Sequence, residues 1–156
     1  MLHYLCMTIF IGTDHGGFDL KNRLIEYLQN KNIRVVDIGN YQYDPLDDYP
    51  DFAKKLAEAV LQKPEESLGI VICKSGVGVC VTTNRYKGIR CALGFDEGQV
   101  KHARENDHIN VLALAAEFSD FDKATKLIEV FLLAQPKMEE KYIRRIKKLD
   151  SFPNDS

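Results

Sequence analysis

Gly69-Ile70-Val71-Ile72-Cys73-Lys74-Ser75-Gly76-Val77-Gly78 is the stretch whose reading decides the fold. Its first five residues are apolar on both faces of an extended chain, the mark of a central strand in a sheet buried from both sides. Two glycines then punctuate a turn that opens a helix, expected over Gly76–Asn84. Outward from this unit the same alternation repeats. Upstream, Thr8–Ile11 reads as a strand and Phe18–Asn30 as a helix with Leu20, Leu24, Tyr27 and Leu28 at helical spacing. Ile33–Ile38 reads as a second strand closed by Gly39, Asn40–Pro50 as a loop, and Phe52–Leu61 as a helix. Downstream, strands are expected at Ile89–Leu93 and Asn110–Ala115, and helices at Glu97–Glu105, Phe121–Ala134 and Lys137–Leu149, with Asp120 as an N-cap.

Five strands separated by helices imply an α/β fold, a Rossmann-like three-layer sandwich with a five-stranded parallel sheet. The domain is expected over residues 7–149, with residues 1–6 and 150–156 as flexible termini. Ligands of such sheets bind outside the carboxyl ends of the strands. That rule selects four loops: Gly12–Gly17, Gly39–Pro50, Cys73–Gly78 and Gly94–Gly98.

Composition narrows the function. The 156 residues are 45% hydrophobic and 28% charged, with a formal net charge of −2. That balance is ordinary for one globular domain and argues against nucleic acid or an anionic membrane surface as the main partner. No apolar run approaches the roughly 20 residues needed to span a bilayer. The four cysteines, Cys6, Cys73, Cys80 and Cys91, form no CxxC pair and no zinc-finger spacing, so free thiols in the cytoplasm are expected. No GxxxxGK[ST] loop is present, and Gly76-Val77-Gly78 is only a fragment of a dinucleotide fingerprint.

Two loops carry chemistry. Asp14-His15-Gly16-Gly17 puts a carboxylate and an imidazole on a tight turn at the ligand end. Asp14 is suited to sugar hydroxyls and His15 to a phosphate; alternatively Asp14 caps the following helix. The Cys73–Gly78 turn presents backbone N–H groups to an anion or to the oxyanion of an enediolate. Cys73 stands at the strand tip, where a thiolate is favoured and a carbon-bound proton beside a carbonyl could be abstracted. The alternative is a buried structural cysteine, which is the expectation for Cys80 and Cys91. Lys141, Arg145 and Lys148 share one face of the last helix, fit either for a phosphate or for solvent. His102 and His108 are expected at the surface.

These motifs resemble the type B ribose-5-phosphate isomerases and the galactose-6-phosphate isomerase subunits. The resemblance rests on Asp14-His15-Gly16-Gly17, Asp48-Tyr49-Pro50, Cys73-x-Ser75-Gly76-x-Gly78 with Thr83-Asn84-Arg85, Asn110-Val111-Leu112-Ala113 and Arg144-Arg145-Ile146. It implies an aldose–ketose isomerase that works through a cis-enediolate without metal or cofactor. It also implies a homo-oligomer, a dimer or dimer of dimers, whose active sites straddle the subunit interface. Under it Cys73 is the base between C1 and C2, and Ser75 positions the sugar. The amides of Lys74, Ser75, Gly76, Val77 and Gly78 hold the enediolate. Asp14 and Tyr49 contact the sugar, and His15, Lys141 and Arg145 contact the phosphate.

Four positions depart from the family pattern. Lys74 replaces a glycine and Lys141 an arginine. Asn106 stands where the family has a ring-opening histidine, for which His102, one helical turn earlier, is the expected substitute. Glu117 occupies the place of a phosphate-binding arginine. The expected substrate is ribose 5-phosphate; another pentose or hexose phosphate, or a catalytically weak paralogue that only binds sugar phosphates, are the alternatives.

Overall fold

The computed structural model describes residues 3–152. Five strands, β1 (Thr8–Thr13), β2 (Arg34–Gly39), β3 (Ser67–Cys73), β4 (Cys91–Leu93) and β5 (Val111–Ala115), form one parallel sheet in the order β2-β1-β3-β5-β4. Four helices connect them, α1 (Phe18–Asn30), α2 (Tyr49–Gln62), α3 (Val77–Thr83) and α4 (Glu97–Asn106), and two follow β5, α5 (Phe121–Leu133) and α6 (Glu140–Asp150). Every residue of β3 is buried, as the opening stretch demands. Its side chains alternate between two cores. Leu68, Ile70 and Ile72 meet α1, α4 and α5, whereas Val71 and Cys73 meet α2 and α3. The expected three-layer sandwich is therefore present.

The strand order explains where a ligand can enter. From β1 the chain crosses one face through α1 to β2, and from β3 it crosses the other face through α3. The connections part between β1 and β3, which leaves a crevice above their carboxyl ends. Thr13 closes its floor by donating from Oγ1 to the Ile72 carbonyl at 2.9 Å. A Cβ on Gly17 would stand 2.4 Å from Ile72 Cγ2 and from Thr13 Oγ1, so only glycine lets the first turn pack this closely.

Several boundaries differ from expectation for local reasons. Helix α2 begins at Tyr49 rather than Phe52, because Pro50 falls in the first turn, where its missing N–H costs nothing. Strand β4 keeps only three residues. The Arg90 N–H donates instead to the Asn110 side chain at 2.8 Å, and that amide also reaches the Gly88 carbonyl. Helix α3 starts after Gly76, whose φ of 73° is left-handed. Helix α6 starts three residues late and runs through Asp150, which pairs with Arg90 at 3.3 Å. Of the expected flexible ends, His3–Cys6 forms a 3₁₀ turn and Tyr4 packs against the α5 side of the core; residues 1–2 and 153–156 lie outside the described residues.

A charged side chain is fully buried beside the crevice. Lys21 has no exposed surface, and its Nζ bonds both Asp37 carboxylate oxygens and the Asn40 carbonyl at 2.7 Å each. It ties α1 to the end of β2 and to the loop beyond. Among the described residues no helix is long and apolar enough to cross a membrane.

Candidate active site

The crevice collects the residues of the first, second and third loops. Asp14, at the end of β1, is 6% exposed and accepts from the Gly16 N–H at 2.9 Å, so it does cap the 3₁₀ turn His15–Gly17. Burial dominates its ionisation and pushes its carboxyl above the ordinary range, against the pull of the Gly16 N–H, His15 and Lys74. Lys74 arches over this turn; a Cβ on Gly16 would come 2.5 Å from Lys74 Cγ. The cation that departs from the family pattern therefore lies beside Asp14.

Cys73 is 5% exposed, and the Gly76 N–H points at its sulfur over 3.1 Å. That contact needs the left-handed Gly76, where a Cβ would also strike Leu93 Cδ1 at 2.5 Å and the Leu114 backbone at 3.0 Å. Ser75 is exposed, its Oγ accepting from the Val77 N–H at 3.3 Å. The Tyr49 ring lies against the turn from the α2 side; a Cβ on Gly78 would meet it at 2.8 Å. The Cys73 and Lys74 carbonyls accept from the Ala116 and Glu117 N–H groups, extending the β3–β5 ladder past both strands. Glu117 itself is exposed on the rim.

Asp47 completes the cluster and was not among the expected residues. Its Oδ1 accepts from the His15 N–H at 2.9 Å and pairs with His15 Nδ1 at 2.7 Å, while Oδ2 takes the Asn40 amide at 2.7 Å. Burial works against its charge, but these three hydrogen bonds outweigh it and hold the carboxyl below the usual range. The only signal in the sequence is the doubled acid Asp47-Asp48 before Tyr49-Pro50. Asp14, His15 and Asp47 bring three potential ligand atoms within 4.8 Å of one another, the one such group among the described residues. Its members already bond to the turn and to each other.

The remaining expected residues sit at the other end of the sheet. Cys73 pairs with Ala115, the last residue of β5, whereas α4 ends at Asn106, before β5 begins. Five residues of strand at about 3.3 Å each put roughly 16 Å between those levels. His102 is exposed on α4, and this chain does not bring it to Cys73. Asn106 Oδ1 is buried without a hydrogen-bond partner among the described residues. Helix α6 lies at the same end, with Lys141 and Arg145 exposed and Ile146 facing inward beside Met7, Leu68 and Asn110. His108, expected at the surface, is 9% exposed: its positive φ of 52° turns it inward, where Nε2 meets the Lys137 carbonyl at 2.8 Å.

Comparison with known proteins identifies the family and the fold. The family model described as Ribose/Galactose Isomerase matches residues 9–149. The crystal structure of ribose-5-phosphate isomerase B from Mycoplasma genitalium with bound ribulose-5-phosphate superposes with a TM-score of 0.89 at 37% identity, covering 96% of this chain and 98% of that one. A ribose 5-phosphate isomerase from Thermotoga maritima gives a TM-score of 0.87 at 35% identity over 94% of this chain and 99% of the other. The galactose-6-phosphate isomerase subunit LacB of Clostridium acetobutylicum is 37% identical over 94% of this chain and 83% of its own.

Proposed function

This chain belongs to the ribose/galactose isomerase family, and on that premise we propose that it interconverts ribose 5-phosphate and ribulose 5-phosphate with Cys73 as the proton carrier. The observation that carries the mechanism is the Gly76 N–H directed at Cys73 Sγ in the β1/β3 crevice. The thiolate takes the proton from C2 of the open-chain aldose, and the electrons move into the C1 carbonyl to form the enediolate. Backbone N–H groups of the Lys74–Gly78 turn meet the developing oxyanion. A proton passes from the C2 hydroxyl to the C1 oxygen, the thiol returns its own proton to C1, and the ketose is left. Asp14 and Tyr49 face the sugar, Ser75 positions it, and His15 binds the phosphate.

The phosphate ligands Lys141 and Arg145, His102 for ring opening and Asn106 for the sugar lie too far from Cys73 to serve the same chain's crevice. Each site is completed by a second copy, which makes the working unit a homodimer or a pair of them. The unpartnered Asn106 Oδ1 supports this arrangement. Lys74 beside Asp14 and the acidic Glu117 on the rim favour a second reading, an isomerase of a hexose phosphate. The test is turnover of purified protein on a panel of pentose and hexose phosphates. Ribose 5-phosphate is expected to give the highest kcat/KM; a higher value on a hexose phosphate would establish the second reading, and binding without turnover on any aldose phosphate would refute both.

Asp47 is a positioning residue here, because it orients the imidazole that meets the phosphate. A hydrogen bond to a charged group is worth about 1.5–3 kcal/mol. Asp47→Ala should therefore raise KM for the sugar phosphate roughly tenfold or more with kcat little changed; an unaltered KM would remove Asp47 from the site. The same variant has a signature in stability. Because the folded carboxyl titrates below its unfolded range, the stability that Asp47 adds is present above that range and fades as pH falls through the depressed value. The gap between the wild-type and Asp47→Ala unfolding midpoints should close in acid.

A further inference from the structure

Two thiols lie together outside the catalytic cluster. Cys80 is in the middle of α3 and Cys91 opens β4, and the two residues meet where helix and strand pack together. Cys80 Sγ also stands 3.6 Å from the Cys91 carbonyl oxygen. Asn84 clamps the pair: its Nδ2 donates to that carbonyl at 2.9 Å and approaches Cys80 Sγ at 3.7 Å, and its Oδ1 accepts the Cys91 N–H at 2.8 Å. Both cysteines are half-buried, and Cys91 and Asn84 line a cavity of about 570 Å³ along the outer side of β4. The cavity admits a molecule as small as a peroxide to Cys91, with Cys80 directly behind it.

The two sulfurs are not equivalent. The neighbouring Cys91 thiol, helped by the Leu93 backbone and Asn84 and opposed by burial, brings the Cys80 thiol down to about 7. The neighbouring Cys80 sulfur and then burial push Cys91 well above the ordinary thiol range. One member is thus a nucleophile at neutral pH, and the other stays protonated beside it.

We propose that Cys80 and Cys91 are an oxidisable pair that hydrogen peroxide closes into an intrachain disulfide, clipping α3 to β4. The Cys80 thiolate attacks one peroxide oxygen, the O–O bond breaks, and the departing hydroxide takes a proton to become water. Cys80 is left as a sulfenic acid. The Cys91 sulfur, releasing its proton, then attacks Cys80 sulfur and expels hydroxide, which that proton converts to a second water. Two thiols lose two electrons, and one peroxide is reduced to two waters. Since α3 begins at the Gly76–Gly78 turn, the clip fixes the helix directly behind Cys73. Its consequence for turnover rests on the function proposed above; the disulfide itself does not.

Peptide mapping tests the pair without reference to activity. Trypsin cleavage after Lys74, Arg85, Arg90 and Lys101 places Cys80 on peptide 75–85 and Cys91 on peptide 91–101, and neither holds another cysteine. After peroxide treatment of the full chain and alkylation of remaining thiols, mass spectrometry should find these two peptides joined, lighter by two hydrogens and separated by reductant. The rate of joining should rise with pH through about 7. Cys91→Ser should leave Cys80 as a sulfenic acid trapped by dimedone, and Cys80→Ser should leave Cys91 alkylatable. Both thiols still alkylatable in the wild-type chain while the Cys73 peptide is oxidised would overturn the proposal. So would a crosslink joining two copies of peptide 75–85.

Discussion

Replacing Cys73 by alanine is expected to lower kcat on ribose 5-phosphate by roughly 10²–10⁴-fold, the range that a positioned proton-transfer group contributes. KM should move little, because the turn that receives the oxyanion and the residues facing sugar and phosphate stay in place. Cys73→Ser serves as the control for shape. Its hydroxyl fills the same position but does not ionise at neutral pH, so it should be nearly as inactive. Activity within a factor of ten of wild type in both variants would remove Cys73 as the base. The same protein reports on the shared site. Mixed with a Lys141→Ala/Arg145→Ala chain under conditions that exchange subunits, Cys73→Ala should recover part of the lost turnover. One crevice in the mixed dimer then has an intact Cys73 from one copy and an intact α6 from the other. Failure to recover, with exchange confirmed by mass, would overturn the shared site while leaving the role of Cys73 standing.

Lys21→Met should destabilise the domain by about 3 kcal/mol, the lower end of the cost of breaking a buried ion pair, because Asp37 keeps 30% of its side chain in solvent. Against a total of roughly 5–15 kcal/mol this is a large fraction. It should appear as a lower urea midpoint at unchanged slope. Lys21→Met with Asp37→Asn should recover part of the loss, since the unpaired carboxylate is gone; additive losses in the double variant would contradict the pairing. The effect should also reach the site. Lys21 Nζ holds the Asn40 carbonyl, the Asn40 amide holds Asp47, and Asp47 holds His15. Even where Lys21→Met is fully folded, KM for the sugar phosphate should rise.

Most of the architecture was legible in the sequence because strands buried on both faces write unbroken apolar runs. Gly69–Cys73 and Val111–Ala115 are examples, and the helices beside them carry the complementary spacing. The glycine-rich turn after β3 was equally plain. Asp47 was not, because its role comes from a loop folding back on His15, 32 residues away in the chain. His108 was misjudged for a related reason: a polar context suggested the surface, and only its left-handed backbone and the Lys137 carbonyl bring it inside. The shortness of β4 arises from one side chain, Asn110, that takes ladder bonds from its neighbour. The separation of Cys73 from α6 follows from strand order and direction, which residue patterns do not encode.

The seat of Cys73 at the tip of β3 has a consequence for the order in which the molecule becomes itself. Its strand is flanked by β1, some sixty residues earlier, and by β5, whose Ala115 lies opposite and whose neighbour Ala116 donates to the Cys73 carbonyl. Until the ribosome has released residue 116, the thiol has neither its partner strand nor its shelter. A nascent chain thus carries a bare, modifiable cysteine for the time needed to translate more than forty further residues. Chemical capping of that thiol during synthesis would mark molecules that never matured, and its protection afterwards is a clock for completion of the sheet.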